Sequence, residues 1–131
     1  MTSPETTKLF EELRQASPKV TGALVRMREA TYTDGAVPAK YKVLTALAIS
    51  VVIKCEPCIR AYTRMAREQY GVSFEEFIEF LNVAMTMGGC PGEEWALKAL
   101  GYWNSPSIAA SPDGHGTSMC CEPETHQGGR L

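Results

Sequence analysis

The 131-residue sequence has no large excess of charge of either sign and only two histidines. Thirteen Lys and Arg residues stand against fifteen Asp and Glu residues, which gives a net charge of -2 and a pI near 5.7. This balance predicts no basic patch for phosphates, so we expect no nucleic-acid partner. His115 and His126 lie among polar residues, and we expect them to be solvated rather than metal-bound.

The sequence also lacks a long apolar run. Its longest uncharged apolar stretch covers residues 43–53 between Lys42 and Lys54, about half the length that a bilayer crossing requires. We therefore predict a buried core helix and no membrane partner. The N-terminal residues lack the basic start and apolar run of a secretory signal, which indicates a cytoplasmic protein.

No stretch alternates between apolar and polar residues for long enough to predict a strand, so we expect an all-α fold of about six helices in residues 1–104. Residues 105–131 are rich in Ser, Pro and Gly and too poor in apolar residues to offset the entropy of ordering, which predicts a mobile tail. The expected helix starts are Pro4, Pro18, Pro38, Pro57, Ser73 and Pro91, and the expected ends are Ala16, Asp34-Gly35, a break at residues 54–56, Gly71, Gly88-Gly89 and Trp103.

The strongest chemical signal is the motif Cys55-Glu56-Pro57-Cys58. Pro57 favours the first turn of a new helix, where unpaired amides and the helix dipole stabilise a thiolate at Cys58. Two thiols at this spacing can close a disulfide across the helix start. This arrangement nominates Cys58 as the attacking sulfur and Cys55 as the resolving partner, with positive charge nearby on Lys54 and Arg60.

Two other interpretations of the motif remain open. One is a pair of packed, inert cysteines. The other is half of a site for a soft metal or metalloid, which would need further thiols from Cys90 or the adjacent pair Cys120-Cys121. An odd count of five cysteines in a chain expected to be cytoplasmic argues against a framework of structural disulfides and for reactive, metal-bound or packed thiols.

Residues 36–62, which contain this motif, and the helix and glycine-rich turn at residues 83–92 resemble the alkyl hydroperoxidase D-like (AhpD-like) branch of the carboxymuconolactone decarboxylase family. The resemblance covers roughly residues 8–103. It implies an all-helical subunit of a homotrimer or homohexamer, without a cofactor, in which the cysteine pair reduces peroxides or exchanges disulfides. It also implies that peroxide oxidises Cys58 and that Cys55 resolves the sulfenic acid.

Two positions depart from the pattern that this resemblance implies. Peroxidases of the family carry a Glu and a His that relay protons, and the corresponding residues in this chain are Val43 and Tyr62. Valine cannot move a proton. Tyr62 could donate a hydrogen bond to Cys58 one turn away, or it could be an ordinary core aromatic residue. We therefore expect disulfide exchange, with a thiol reductant or a disulfide substrate as partner, ahead of direct peroxide reduction.

The three remaining cysteines suggest auxiliary roles. Cys90 follows Gly88-Gly89 at an expected helix start, where it could exchange disulfides with the pair, complete a three-sulfur site, or fill the turn as a small buried residue. Cys120-Cys121 lies in the predicted tail. We consider two roles for these tail thiols, a relay of reducing equivalents to Cys55 and Cys58 and an idle or metal-scavenging arm.

Overall fold

The computed structural model describes residues 4–105, which form five α-helices and no strand. This confirms the predicted all-α fold. The predicted mobile tail, Cys120-Cys121 and both histidines lie outside the described residues. The helices are α1 (Pro4–Ala16), α2 (Pro18–Thr31), α3 (Ala39–Val52), α4 (Glu56–Glu68) and α5 (Phe74–Asn104).

Helix starts follow local sequence signals closely. Pro18 opens α2, Pro38 is the N-cap of α3, and a Pro lies in the first turn of α4. At α5, the Ser73 hydroxyl accepts from the Glu76 amide at 3.1 Å while the Glu76 carboxylate accepts from the Ser73 amide at 3.0 Å, which is the expected capping box. Lys40 forms an ion pair with Glu76 at 2.8 Å and so ties this cap to α3.

The predicted fifth and sixth helices are the two halves of α5. Gly89 interrupts the helix with φ 64° and ψ -149°, a conformation essentially restricted to glycine. Helical hydrogen bonding resumes directly after Gly89. The helix end predicted at Gly88-Gly89 is therefore a kink within α5. Gly92 then sits against the preceding half, where an added Cβ would lie 3.1 Å from the carbonyl oxygen of Ala84. The absence of a side chain at Gly92 therefore lets the two halves approach.

The core lies between α3, α4 and α5, which all pack against one another. The apolar run at residues 43–53 supplies Val43, Leu44, Leu47 and Val51 to this core. The prediction that the whole run is buried is wrong, because its other face leaves Ile49, Val52 and Ile53 exposed. No helix described between residues 4 and 105 has both the length and the apolar character needed to cross a bilayer. The fully buried apolar residues are Val43, Leu44, Leu47, Ile59, Ala61, Ala66, Phe77 and Ala99.

Helices α1 and α2 pack against each other and bury none of their side chains. Five large apolar residues of this pair remain exposed, and they recur at helical spacing. A hairpin of two helices without buried side chains has no core of its own to stabilise it. The exposed residues, which we call the hairpin face, are Leu9, Leu13, Val20, Leu24 and Met27.

Thr63 on α4 is fully buried, and its Oγ1 has no hydrogen-bond partner among the described residues. Since an unpaired buried hydroxyl destabilises the folded state, we expect Thr63→Val to raise the free energy of unfolding by about 1 kcal/mol in chemical denaturation. Thr45→Val is the matched control, because Thr45 is exposed and its hydroxyl donates to the Tyr41 carbonyl at 2.7 Å. We expect a change within about 0.5 kcal/mol there. A clear loss of stability in Thr63→Val would contradict the conclusion that the Thr63 hydroxyl is buried without a hydrogen-bond partner.

Candidate redox site at the start of helix α4

Cys55 and Cys58 are joined by a disulfide at the start of α4, with their Cα atoms 5.3 Å apart. Cys55 is the N-cap residue in an extended conformation, and Cys58 lies in the first helical turn. Both residues are half-buried. The first-turn position predicted for Cys58 is therefore the one observed, at the end of the helix whose amides have no partner within the helix.

The link between α3 and α4 is short and holds Cys55 by backbone hydrogen bonds. Lys54 adopts φ 58°, in the left-handed region that non-glycine residues seldom occupy, and this reverses the chain after α3. The Cys55 amide donates to the Ser50 carbonyl at 3.0 Å, and the Cys55 carbonyl accepts from the Ile59 amide at 2.9 Å. These bonds position Cys55 directly before the first turn of α4.

Glu56, between the two cysteines, connects the site to the end of α5. Its carboxylate accepts a hydrogen bond from the Tyr102 hydroxyl at 3.0 Å and lies 3.4 Å from Lys98 Nζ. The hydrogen bond from Tyr102, with a further contribution from Lys98, lowers the pKa of Glu56. Burial and the bond to Glu56 raise the pKa of Tyr102, and nearby Arg60 opposes this. The negative charge beside the disulfide is therefore compensated by a donor and a cation.

Tyr62 lies one turn after Cys58 and is only 8% exposed. Its hydroxyl oxygen accepts a hydrogen bond from the Tyr32 hydroxyl at 2.9 Å, and the two rings meet edge to face with centroids 5.4 Å apart. The Tyr70 hydroxyl donates to the Tyr32 carbonyl at 3.0 Å. Burial raises the pKa of Tyr70, and the charge of Asp34 adds to this. Tyr62 is thus both a core residue and a member of a polar network with Tyr32 and Tyr70.

The other predicted site residues differ in their exposure. Val43 is fully buried in the core. Cys90 follows the kink of α5 and is an exposed free thiol, so its interpretation as a buried turn residue is wrong. Within residues 4–105, no three His, Cys, Asp or Glu side chains converge as metal ligands. The geometry therefore does not assemble Cys55, Cys58 and Cys90 into one metal site.

Sequence reasoning missed Tyr32 and Tyr102. Tyr32 is 30 residues from its partner, and Tyr102 is 46 residues from Glu56. Neither tyrosine belongs to a motif, so no local signal identifies them. They reach the site only through the packing of the segment after α2 and of the end of α5.

Residues 18–101 match the model of the carboxymuconolactone decarboxylase family. The chain is 34% identical over 101 residues to an uncharacterized protein of Cupriavidus necator, covering 77% of this chain and 88% of the relative. It is 28% identical over 97 residues to uncharacterized protein 4 of the cox locus of Paracoccus denitrificans, covering 74% and 86%. The fold is similar to the crystal structure of an apo carboxymuconolactone decarboxylase family protein from Legionella pneumophila, with a TM-score of 0.70, 28% identity and coverage of 76% and 88%.

Proposed function

We propose, from the premise that the chain belongs to the carboxymuconolactone decarboxylase family, that Cys55 and Cys58 form a redox-active pair that exchanges disulfides. The observation that carries the proposal is the disulfide between these residues at a helix start, where both residues are half-buried rather than enclosed in the core. We assign Cys58 as the attacking sulfur, because the amides of the first turn favour its thiolate.

The exchange proceeds in two substitutions at sulfur. In the reduced protein, the Cys58 thiolate attacks one sulfur of a substrate disulfide, forms a mixed disulfide and expels the first substrate thiolate. Cys55 then loses its proton and attacks Cys58, which forms the Cys55–Cys58 disulfide and releases the second thiolate. The substrate gains two electrons and the protein loses two. A thiol reductant in the cytoplasm reverses these steps and regenerates the dithiol.

Disulfide exchange ranks ahead of peroxide reduction as the activity of this site. Cleavage of a peroxide O–O bond by a thiolate requires a proton for the departing oxygen. Val43 has no titratable group and is fully buried. Tyr62 is a phenol rather than the imidazole of the family's peroxidases, and phenols are poor acid–base relays at neutral pH. Thiolates leave readily without protonation, so exchange does not need such a relay.

We also propose that copies of the chain associate with one another. Family members are commonly oligomeric, and the notable feature of this chain is the exposed hairpin face. Large exposed apolar patches on small proteins mark interaction sites. A second copy of the chain would cover this face and supply the core that α1 and α2 lack.

The proposal is tested by mass spectrometry of the full-length protein carrying Cys90→Ser, Cys120→Ser and Cys121→Ser, which leaves Cys55 and Cys58 as the two thiols of the chain. After reduction and removal of the reductant, addition of a small aromatic disulfide is expected to release two thiolates per chain and to lower the protein mass by two hydrogens. Peptide analysis should then locate the new disulfide at Cys55 and Cys58. A pair that stays reduced, or a metal ion that co-purifies with these two thiols, would contradict the proposed exchange.

A further inference from the structure

Glu56 lies between the two cysteines of the motif, and both of its carboxylate oxygens are bound by side chains from the end of α5. The Tyr102 hydroxyl donates to Glu56 Oε1 at 3.0 Å, and Lys98 Nζ lies 3.4 Å from Glu56 Oε2. We call these three side chains the Glu56 clamp. Because Glu56 follows Cys55 directly and is two residues from Cys58, the clamp holds the segment that carries both sulfurs.

The end of α5 that carries the clamp is itself held in place. The Trp103 ring stacks on the fully buried Phe77 with the ring centroids 4.4 Å apart. Arg67 on α4 donates to the Trp103 carbonyl at 2.6 Å and to the Ser105 carbonyl at 3.1 Å. Tyr102 is next to Trp103 in the chain, so the clamp connects the first turn of α4 to a fixed part of α5.

The first turn of α4 lacks the side-chain cap that Ser73 gives to α5. Its N-cap residue is Cys55, whose sulfur is bonded to Cys58 and makes no capping hydrogen bond. In the disulfide form, the bond between the two sulfurs restrains this turn. Reduction removes that restraint, and the clamp is then the side-chain contact that keeps Glu56 in place against α5.

We propose that the Glu56 clamp positions Cys55 and Cys58 for disulfide formation, with Tyr102 and Lys98 as positioning residues that act through Glu56. This inference rests on the proposed exchange, because it concerns the equilibrium of the same pair. A dithiol that is already ordered loses less conformational entropy when its disulfide closes. Loss of the clamp should therefore make the disulfide easier to reduce.

The test measures the equilibrium of the pair with dithiothreitol in full-length protein carrying Cys90→Ser, Cys120→Ser and Cys121→Ser. In this reaction, the protein dithiol passes two electrons and two protons to oxidised dithiothreitol, which becomes reduced while the Cys55–Cys58 disulfide forms. After acid quenching, free thiols are alkylated with iodoacetamide, and mass spectrometry gives the oxidised fraction of the protein.

We expect Tyr102→Phe to lower the equilibrium constant for disulfide formation by about tenfold, equivalent to about 30 mV, because a hydrogen bond to a charged group is stronger than a neutral one. Lys98→Met should lower it by only about threefold, since this ion pair is partly exposed to solvent. In the Glu56→Ala background, neither change should have a further effect, because its route to the cysteines is gone. Glu56→Gln keeps an acceptor for the Tyr102 hydroxyl and should retain most of the wild-type equilibrium constant.

Tyr41→Phe is the matched control for loss of a tyrosine hydroxyl, because Tyr41 lies roughly 16 Å along α3 from the end that leads to Cys55. An unchanged equilibrium constant in Tyr102→Phe, or an equal effect of Tyr102→Phe with and without the Glu56 side chain, overturns the inference. If Glu56→Ala does not fold by circular dichroism, the comparison of Tyr102→Phe with Tyr41→Phe decides. A pair that equilibrates with dithiothreitol equally well with and without the clamp contradicts only this inference, whereas a pair that does not equilibrate even with the clamp intact contradicts the proposed function.

Discussion

Replacing Cys58 with serine is expected to lower the rate of disulfide exchange by on the order of a thousandfold, to the background of the remaining thiols. A serine hydroxyl is not ionised at neutral pH, so the variant lacks the nucleophile that begins the exchange. The measurement is the release of thiolate from a small aromatic disulfide by reduced full-length protein. The Cys90→Ser variant should keep the wild-type rate of exchange, because Cys90 is an exposed free thiol and does not join the pair in a common site.

Replacing Cys55 with serine should have a different outcome. Cys58 can still attack, but no second thiol is present to resolve the mixed disulfide. In protein that also carries Cys90→Ser, Cys120→Ser and Cys121→Ser, intact mass spectrometry should therefore show a stable adduct of one substrate thiol per chain, attached at Cys58. If the adduct instead forms at Cys55 in the Cys58→Ser protein, the two roles are reversed, and the argument from the first helical turn is wrong.

Helix starts were the most predictable part of this fold. Their signals act within one turn, as at Pro18 and in the Ser73–Glu76 capping box, so a single sequence contains the necessary information. Helix ends were less predictable. The glycines expected to end a helix before Pro91 instead produce a kink, because hydrogen bonding resumes after Gly89 and the backbone at Gly92 packs closely on the preceding half.

The features of the candidate site were likewise predictable where they depend on neighbouring residues and unpredictable where they depend on distant ones. The cysteine motif and the position of Cys58 in the first turn of α4 depend on neighbouring residues, and the sequence indicated both. The hydroxyl of Tyr32 and the bond between Tyr102 and Glu56 depend on how distant segments pack, which no local pattern records. The exposure of Cys90 likewise follows from the direction of the chain after the kink.

A charge placed on the hairpin face is expected to weaken the association of copies of the chain. Leu13 on α1 is 55% exposed, so covering it in a contact would contribute about 1–1.5 kcal/mol, roughly half of the value for burying a fully exposed leucine. Leu13→Glu would remove this gain and place a charge in the contact, which adds a desolvation cost. We expect the dissociation constant to rise by at least about a hundredfold, since each 1.4 kcal/mol is a factor of ten. Light scattering after size-exclusion chromatography should then show monomer at concentrations where the wild-type chain is assembled.

Gln15→Glu is the control that makes this result specific to the hairpin face. Gln15 is exposed two residues further along α1, about 200° around the helix from Leu13, and its amide bonds only to Glu11 among the partners described for it. The two variants add the same charge to the same helix, so a general effect of charge or of helix stability would appear in both. Dissociation in Leu13→Glu alone locates the contact on the apolar side of α1. Unchanged assembly in Leu13→Glu would mean that copies associate through another surface, such as the exposed residues Ile49 and Ile53 near the end of α3.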